Sequence, residues 1–269
     1  MLQSVIITGA SSGIGKEASL RLAKSGYRVF GLARSYDKLR NLAEELPSES
    51  FFPIKYDVTN SEKFGEIAKK ISDEGPIFGL VNNAGYVEPG AVEDLSMEDL
   101  RVQFETNFFG LIGFTKQILP LMAPNRQGRI VNISSIAGLI SLPLIGSYCA
   151  TKHALEAMSD ALRMELWKTG IKVININPGV TETNIHNITS SKIAAIGDSR
   201  FAKAYRKYLT AAPKGLRTSV VADAIFEAIT SPNPKPRYLL GSRKEKIAVR
   251  LKPYIPSRIF YSEVAKRLT

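Results

Sequence analysis

Residues 4–15 read Ser4-Val5-Ile6-Ile7-Thr8-Gly9-Ala10-Ser11-Ser12-Gly13-Ile14-Gly15, and the architecture follows from that stretch. Residues 4–7 are a short β-branched run that reads as a buried strand. A segment with apolar residues at helical spacing begins at Ile14 and runs to Ser25. Between them, glycines at 9, 13 and 15 allow a sharp turn and a close approach of backbone to a ligand. They also seat the helix start against the sheet. The amides and macrodipole of that helix end attract phosphate. Gly9, Ser11, Ser12, Gly13, Ile14 and Gly15 are therefore expected to cradle the pyrophosphate of a dinucleotide, although the spacing is G-x-x-x-G-x-G rather than G-x-G-x-x-G.

The same alternation continues outward from this turn. Residues 28–33, 52–56, 78–81, 129–133, 172–176 and 237–240 are short apolar runs; segments 37–46, 61–73, 97–122 and 147–168 carry helical periodicity. Gly26 and Gly170 stand where C′ glycines end helices, Pro47 and Pro124 lie just past helix ends, and Asn60 is placed to cap one. Repeated β-α-β units predict an α/β fold: a single doubly wound, mostly parallel Rossmann-type sheet of about seven strands with helices on both faces. The expected organisation is a dinucleotide-binding and catalytic domain over residues 1–240, with a substrate lid at 184–212. A basic amphipathic helical extension follows at 241–269, split in two by Pro253 and Pro256.

Composition narrows the function classes. A chain of 269 residues with 44% hydrophobic residues buries enough surface to need no disulfide or structural metal. Cys149 is the single cysteine and reads as a packed residue. The only histidines are His153 and His186, which rules out a histidine-rich metal site, and Asp94, Glu98 and Asp99 read as solvated charges at a helix start. No metal is expected. The start of the chain lacks a basic signal-like region, no apolar run reaches the ~18 residues of a membrane span, and the chain reads as cytoplasmic. The formal charge is +11, and residues 241–269 hold eight Lys or Arg against two Glu, a net +6. More than half the excess thus sits on the extension, which argues against a basic groove for nucleic acid.

The end of the second strand bears on the cofactor. An acidic side chain there binds the adenosine 2′-hydroxyl and selects NAD. Here Ala33 is followed by Arg34, with Lys38 a helical turn on, and a guanidinium suits a 2′-phosphate; this favours NADP(H). The other reading of Arg34 is a solvated loop charge.

Tyr148 and Lys152 stand at i and i+4 near the start of a helix, on one face. An ammonium beside a phenol favours the phenolate and lowers its pKa, useful for proton exchange near neutral pH. Thirteen residues earlier a strand ends in Ser134-Ser135, at the carboxyl edge where such sheets bind ligands, and Ser135 is the better placed hydroxyl to stabilise a developing oxyanion.

Six motifs taken together, TGASSGIG at 8–15, NNAG at 82–85, Asn107, GRIVNISS at 128–135, Tyr148-x-x-x-Lys152 and Pro178-Gly179, resemble the short-chain dehydrogenase/reductase family over roughly residues 3–183, and Thr151-Lys152-His153-Ala154-Leu155-Glu156-Ala157 is similar to its steroid and retinoid branch. The resemblance implies a carbonyl–alcohol oxidoreductase in which Tyr148 is the general acid or base. Lys152 would hold the nicotinamide ribose, Ser135 the carbonyl oxygen, and Asn107 a proton-relaying water. It further implies that Asp57 and Val58 meet the adenine, that Asn83 and Ala84 lie along the adenosine with Gly85 supporting the strands, and that Pro178, Gly179, Val180 and Thr183 clasp the nicotinamide. Asn83 can equally be a strand-stabilising residue, and Asn107 a helix cap or kink.

The lid carries Ile185, Ile188, Ile193, Ile196, Phe201, Tyr205, Tyr208 and Leu209, either lining a site for a lipophilic ketone or aldehyde or packing as ordinary core. The extension has three possible places: over the pocket, in a subunit interface, or on anionic lipid, in that order. Family likeness implies a homodimer or homotetramer built on helices 104–122 and 147–168. A non-catalytic NADPH-sensing regulator and a 3-oxoacyl-thioester reductase are the competing readings. Retention of both Tyr148 and Lys152 speaks against the first, and the chain continuing past the last strand against the second.

Overall fold

The alternation of short apolar runs and amphipathic segments resolves, in the computed structural model, into seven parallel strands in the order β3-β2-β1-β4-β5-β6-β7. Residues 3–122, 124, 127–196, 198–210 and 215–266 are described, the side chains of 184–188 and 195 excepted. The strands are β1 (Ser4–Thr8), β2 (Arg28–Ala33), β3 (Phe51–Lys55), β4 (Ile77–Asn82), β5 (Gly128–Ile133), β6 (Ile171–Pro178) and β7 (Arg237–Leu240). Sequence order reverses between β1 and β4, and the crevice at such a switch point is where open α/β sheets take ligands.

Alternate residues of a strand face opposite sides, and each side here has its own core. Val5 and Ile7 of β1, with Val29, Val81, Val131 and Ile174, pack under α1 (Gly13–Lys24), α2 (Tyr36–Glu44) and α9 (Thr218–Thr230). Ile6, with Phe30, Leu80, Ile130 and Val173, packs under α3 (Phe64–Asp73), α5 (Gly110–Met122) and α6 (Gly146–Glu165). Helix α9 has no counterpart in the sequence reading. Its Val221, Ala222, Ala224, Ile225, Ala228 and Ile229 are buried against α1, so too few polar residues mark an outer face to reveal its period.

The segment 97–122 is not one uninterrupted α-helix. After α4 (Met97–Phe104), Glu105–Phe109 form a π turn before α5 resumes, and Asn107 lies in its middle, fully buried. Such bulges widen the helix by one residue and re-aim side chains, and they concentrate at functional sites. Asn60 occupies a cap position, but its side chain makes no capping bond; Asp57 instead accepts from the amide and hydroxyl of Thr59.

In the lid, α7 (Asn184–Ala195) and α8 (Ala202–Thr210) form a satellite core in which Ile193, Ala204 and Tyr205 are buried with Ala91 and Leu144. Ile196, Phe201 and Tyr208 pack against that core, and Leu209 is exposed. Much of the lid's apolar character therefore holds the lid itself. The side chains of Ile185 and Ile188, and residues 211–212, lie outside the described part. Asp94 also has a structural duty, accepting from the Tyr205 hydroxyl at 2.6 Å and from Ser199 at 2.8 Å. Asp99 completes a capping box with Ser96.

The extension runs through α10 (Arg243–Leu251) and α11 (Ser257–Ala265), with Pro253 and Pro256 at the break. Lys252 donates to the Leu139 carbonyl at 2.8 Å, and Tyr261 and Val264 face the 141–144 loop. The extension thus lies across the carboxyl end of the sheet; residues 267–269 are outside the described part.

Candidate active site

The glycine turn has the geometry its composition requires. Gly9 and Gly13 have φ of +68° and +53°, a region that disfavours side chains, and a Cβ on Gly15 would stand 2.2 Å from the Gly9 carbonyl. Helix α1 starts after Ser12, whose side chain makes no capping bond, and has no acidic residue in its first turn. Its leading amides are thus left to a ligand, and the residues present fit a pyrophosphate. Asn83 donates to the carbonyls of Thr8 and Gly9 at 2.9 and 3.2 Å, while the Thr8 hydroxyl accepts from the amides of Asn83 and Ala84. Asn83 therefore ties the turn to the end of β4. Thr183 lies above Gly13, where a Cβ on the glycine would meet its methyl group at 3.4 Å.

Arg34 projects into solvent with its side chain 81% exposed, so it is free to meet an anion, but it is not free of carboxylates: Asp57 at the end of β3 approaches to 4.0 Å. Ala33 and Arg34 alone did not reveal this neighbour, because it depends on the pairing of β2 with β3.

Around the start of α6 the side chains are already engaged with one another. The ammonium of Lys152, itself buried, donates to the Ile133 carbonyl at 2.8 Å and lies 5.7 Å from the centre of the Tyr148 ring. The Ser135 hydroxyl donates to the Pro178 carbonyl at 3.3 Å, and its influence acts to lower the Tyr148 pKa. The Ser135 Oγ also accepts from the Ala137 amide at 3.1 Å. Ser134 is turned into the interior, which leaves Ser135 as the hydroxyl on this site. Asn107 brackets the loop after β4, accepting from the Tyr86 amide and donating to the Tyr86 carbonyl and to Thr151. Its Oδ1 stands 3.1 Å, and the Lys152 Nζ 3.7 Å, from where a Cβ on Gly85 would be, so these two side chains meet beside a residue that must be bare.

The electrostatics differ from the expectation for a Tyr–Lys pair. Burial dominates the Tyr148 phenol and pushes its pKa up to about 12, against a smaller lowering from Ser135; Lys152 is not among the causes. Burial brings Lys152 down to about 8, with Glu156 acting to raise it. The ammonium lies over the ring and is anchored on a carbonyl, and desolvation of the phenolate outweighs its help.

Sequence reading missed the polar side chains packed behind these residues. Glu156, buried one helical turn beyond Lys152, accepts from Asn177 at 2.6 Å, from Asn175 at 2.8 Å and from Arg237 at 2.6 Å. Asn177 also donates to the Ser135 carbonyl at 3.1 Å, so a chain of bonds runs from β7 through Glu156 to the serine. The signal present in the sequence was Asn175-Ile176-Asn177: two asparagines on one face of a buried strand whose other residues, Lys172 and Pro178 apart, are β-branched. Farther out, Pro178 ends β6 and Gly179 and Val180 follow it, where the Glu245 carboxylate would clash with any Cβ on Gly179. Among the described residues no three His, Cys, Asp or Glu side chains are grouped to hold a metal.

The profile of the short chain dehydrogenases matches residues 3–194. This chain belongs to the short-chain dehydrogenase family. The dehydrogenase is 32% identical to an NADPH-dependent 3-dehydrocapnine reductase from Ornithobacterium rhinotracheale, over 98% of both chains. It is also 32% identical to a 3-ketodihydrosphingosine reductase from Bacteroides thetaiotaomicron, over 97% of this chain and 98% of the relative. Among solved structures it resembles an actinorhodin polyketide ketoreductase variant with NADPH, at a TM-score of 0.77, 30% identity, and coverage of 89% and 95%. The short-chain dehydrogenase has no helix, among its described residues, long and apolar enough to cross a membrane.

Proposed function

We propose that this short-chain dehydrogenase is an NADP(H)-dependent carbonyl reductase acting on a lipophilic ketone or aldehyde. The observation that carries the reading is Tyr148, its ring 5.7 Å from the Lys152 ammonium and its hydroxyl kept protonated by burial through the physiological range. A neutral phenol is the form a general acid needs when a carbonyl becomes an alcohol. Bound NADPH supplies the hydride that reaches the carbonyl carbon. Tyr148 gives its proton to the carbonyl oxygen, and Ser135 donates to that oxygen as charge grows on it. Lys152, charged below about pH 8, holds the ribose hydroxyls and supports the phenolate left behind. Asn107 keeps the loop after β4 in place and holds the relay water beside Lys152. Gly9, Ser11, Ser12, Gly13, Ile14 and Gly15 would hold the pyrophosphate, and Asp57, Val58, Asn83, Ala84 and Gly85 the adenosine. Pro178, Gly179, Val180 and Thr183 would hold the nicotinamide.

NADP(H) is favoured by the exposed Arg34 guanidinium at the end of β2 and by the NADPH named for a relative and for a structural neighbour. A lipophilic substrate is favoured by an open apolar groove of ≈ 320 Å³ between the 141–144 loop and α11, lined by Val92, Leu142, Pro143, Leu144, Tyr261 and Val264; Ser135, Tyr148 and Lys152 are not part of its lining. Self-association is favoured by apolar side chains exposed on α4 to α6 and just beyond: Val102, Phe109, Met158, Met164 and Trp167.

The test is NADPH consumption across ketones of increasing chain length, with Arg34→Ala as the cofactor control. A charge-assisted bond to a phosphate is worth about 1.5–3 kcal/mol, so this variant is expected to raise KM for NADPH by about tenfold or more and leave that for NADH nearly unchanged. An equal effect on both cofactors would remove the NADP(H) assignment, and absence of turnover with every ketone would remove the reductase.

A further inference from the structure

The extension has two sides, and only one is occupied by the domain. Glu245 meets Gly179 and Gly241, Lys252 meets Leu139, and Tyr261 and Val264 meet the 141–144 loop. At 100° per residue, Arg243, Lys244, Ile247, Arg250 and Leu251 fall on one arc of α10, and all five are exposed. Tyr254 at the corner is 84% exposed, Ile259 on α11 is 56% exposed, and Arg258 beside it is exposed. Among the described residues Arg243, Lys244, Arg250 and Arg258 form no ion pair; Lys266 with Glu263 is the one such pair within the extension.

We infer that this outward face binds the surface of an anionic lipid bilayer. Aliphatic side chains ringed by cations suit the boundary between headgroups and acyl chains, where the apolar atoms leave water while the long basic side chains stay with phosphate and carboxylate. Tyr254 adds a ring with an apolar body and a polar tip, the type enriched at that depth. The charge favours lipid over a second copy of this chain, since pairing the face with itself would oppose two segments of net +6 each. Nucleic acid would satisfy the cations but leaves Ile247, Leu251 and Ile259 without a role. The inference stands apart from the cofactor and substrate assignments, because neither is needed for the face to bind.

The experiment is co-sedimentation of the full chain with vesicles of phosphatidylcholine containing about one-third phosphatidylserine, against pure phosphatidylcholine, at about 50 and 500 mM salt. Partition to the anionic vesicles is expected to exceed that to the neutral ones by about tenfold at low salt and to collapse at high salt. Two double variants separate the contributions: K244E/R250E removes the charge attraction and I247S/L251S the apolar insertion. Each is expected to weaken binding by about tenfold with circular dichroism and Tm unchanged. Equal partition to both vesicles, or full binding by both variants, would overturn the inference. So would binding to duplex DNA without binding to vesicles, or a dimer that I247S/L251S dissociates in the ultracentrifuge.

Discussion

The turn after β1 and the turn after β5 stand on the same edge of one sheet and use their polar groups in opposite ways. After β1, α1 begins with no side-chain cap and no acidic residue, so its amides are left to whatever binds there. After β5, Lys152 is held by the Ile133 carbonyl, Ser135 by the Ala137 amide and the Pro178 carbonyl, and Glu156 by three partners of its own. The first turn is complete only with a ligand; the second fixes its geometry beforehand. An anion site gains from open donors, whereas proton transfer gains from groups that need no rearrangement. Substitutions at the second turn that spare Lys152 should therefore change turnover while leaving dinucleotide affinity almost intact.

The largest effect is expected from Tyr148→Phe. It removes the proton donor while keeping the ring beside Lys152. Loss of a positioned general acid costs about 10²–10⁴-fold in turnover, and kcat is expected to fall by that amount with the dinucleotide Kd nearly unaltered. Fluorescence titration of NADPH beside single-turnover kinetics separates the two quantities. Activity within a few-fold of wild type, or a matching loss of affinity, would break the contrast between the turns.

Glu156→Gln probes the second turn from behind. The glutamate raises the pKa of Lys152 against burial, which brings it down to about 8. A neutral glutamine keeps the shape and part of the bonding to Asn175 and Asn177 but removes that support. The ammonium then loses its proton at lower pH, and the alkaline limb of the kcat profile moves towards neutrality. A shift of one pKa unit corresponds to tenfold in the charged-to-neutral ratio, so a loss of about tenfold is expected above pH 8 and much less near pH 6. A profile scaled down without moving would leave Glu156 as packing alone.

That glutamate also marks where the sequence stops being legible. The glycine turn can be read because strand, turn and helix are contiguous and each glycine answers a local demand; Gly15, where a Cβ would stand 2.2 Å from the Gly9 carbonyl oxygen, is the clearest case. Tyr148 and Lys152 can be read because four residues make one helical turn. The bonds of Glu156 to Asn177 and Arg237 depend on β6 lying between β5 and β7, a pairing that no single segment encodes. Nor does spacing reveal that burial outweighs Lys152 at the phenol. The π turn at Asn107 is hidden for a related reason: one extra residue in a helix leaves its apolar pattern almost unchanged.

The smallest effect is expected at Tyr205, whose hydroxyl accepts from the Ala91 amide and donates to Asp94, both at 2.6 Å. It clips the lid helix α8 to the loop after β4, on the side of the site remote from both turns in the chain. Tyr205→Phe keeps the ring in its satellite core but leaves the buried Ala91 amide without its acceptor. An unsatisfied buried donor costs about 1–3 kcal/mol, which for a chain of this size lowers Tm by several degrees. Asp94 keeps Ser199 as a partner, so the loss stays local. Hydrogen exchange at Ala91 should accelerate, while turnover on a small ketone, which needs the lid least, stays within about twofold. Unchanged Tm and exchange would mean that α8 is held by its apolar contacts alone. A large fall in turnover would tie the lid to the preformed geometry of the second turn.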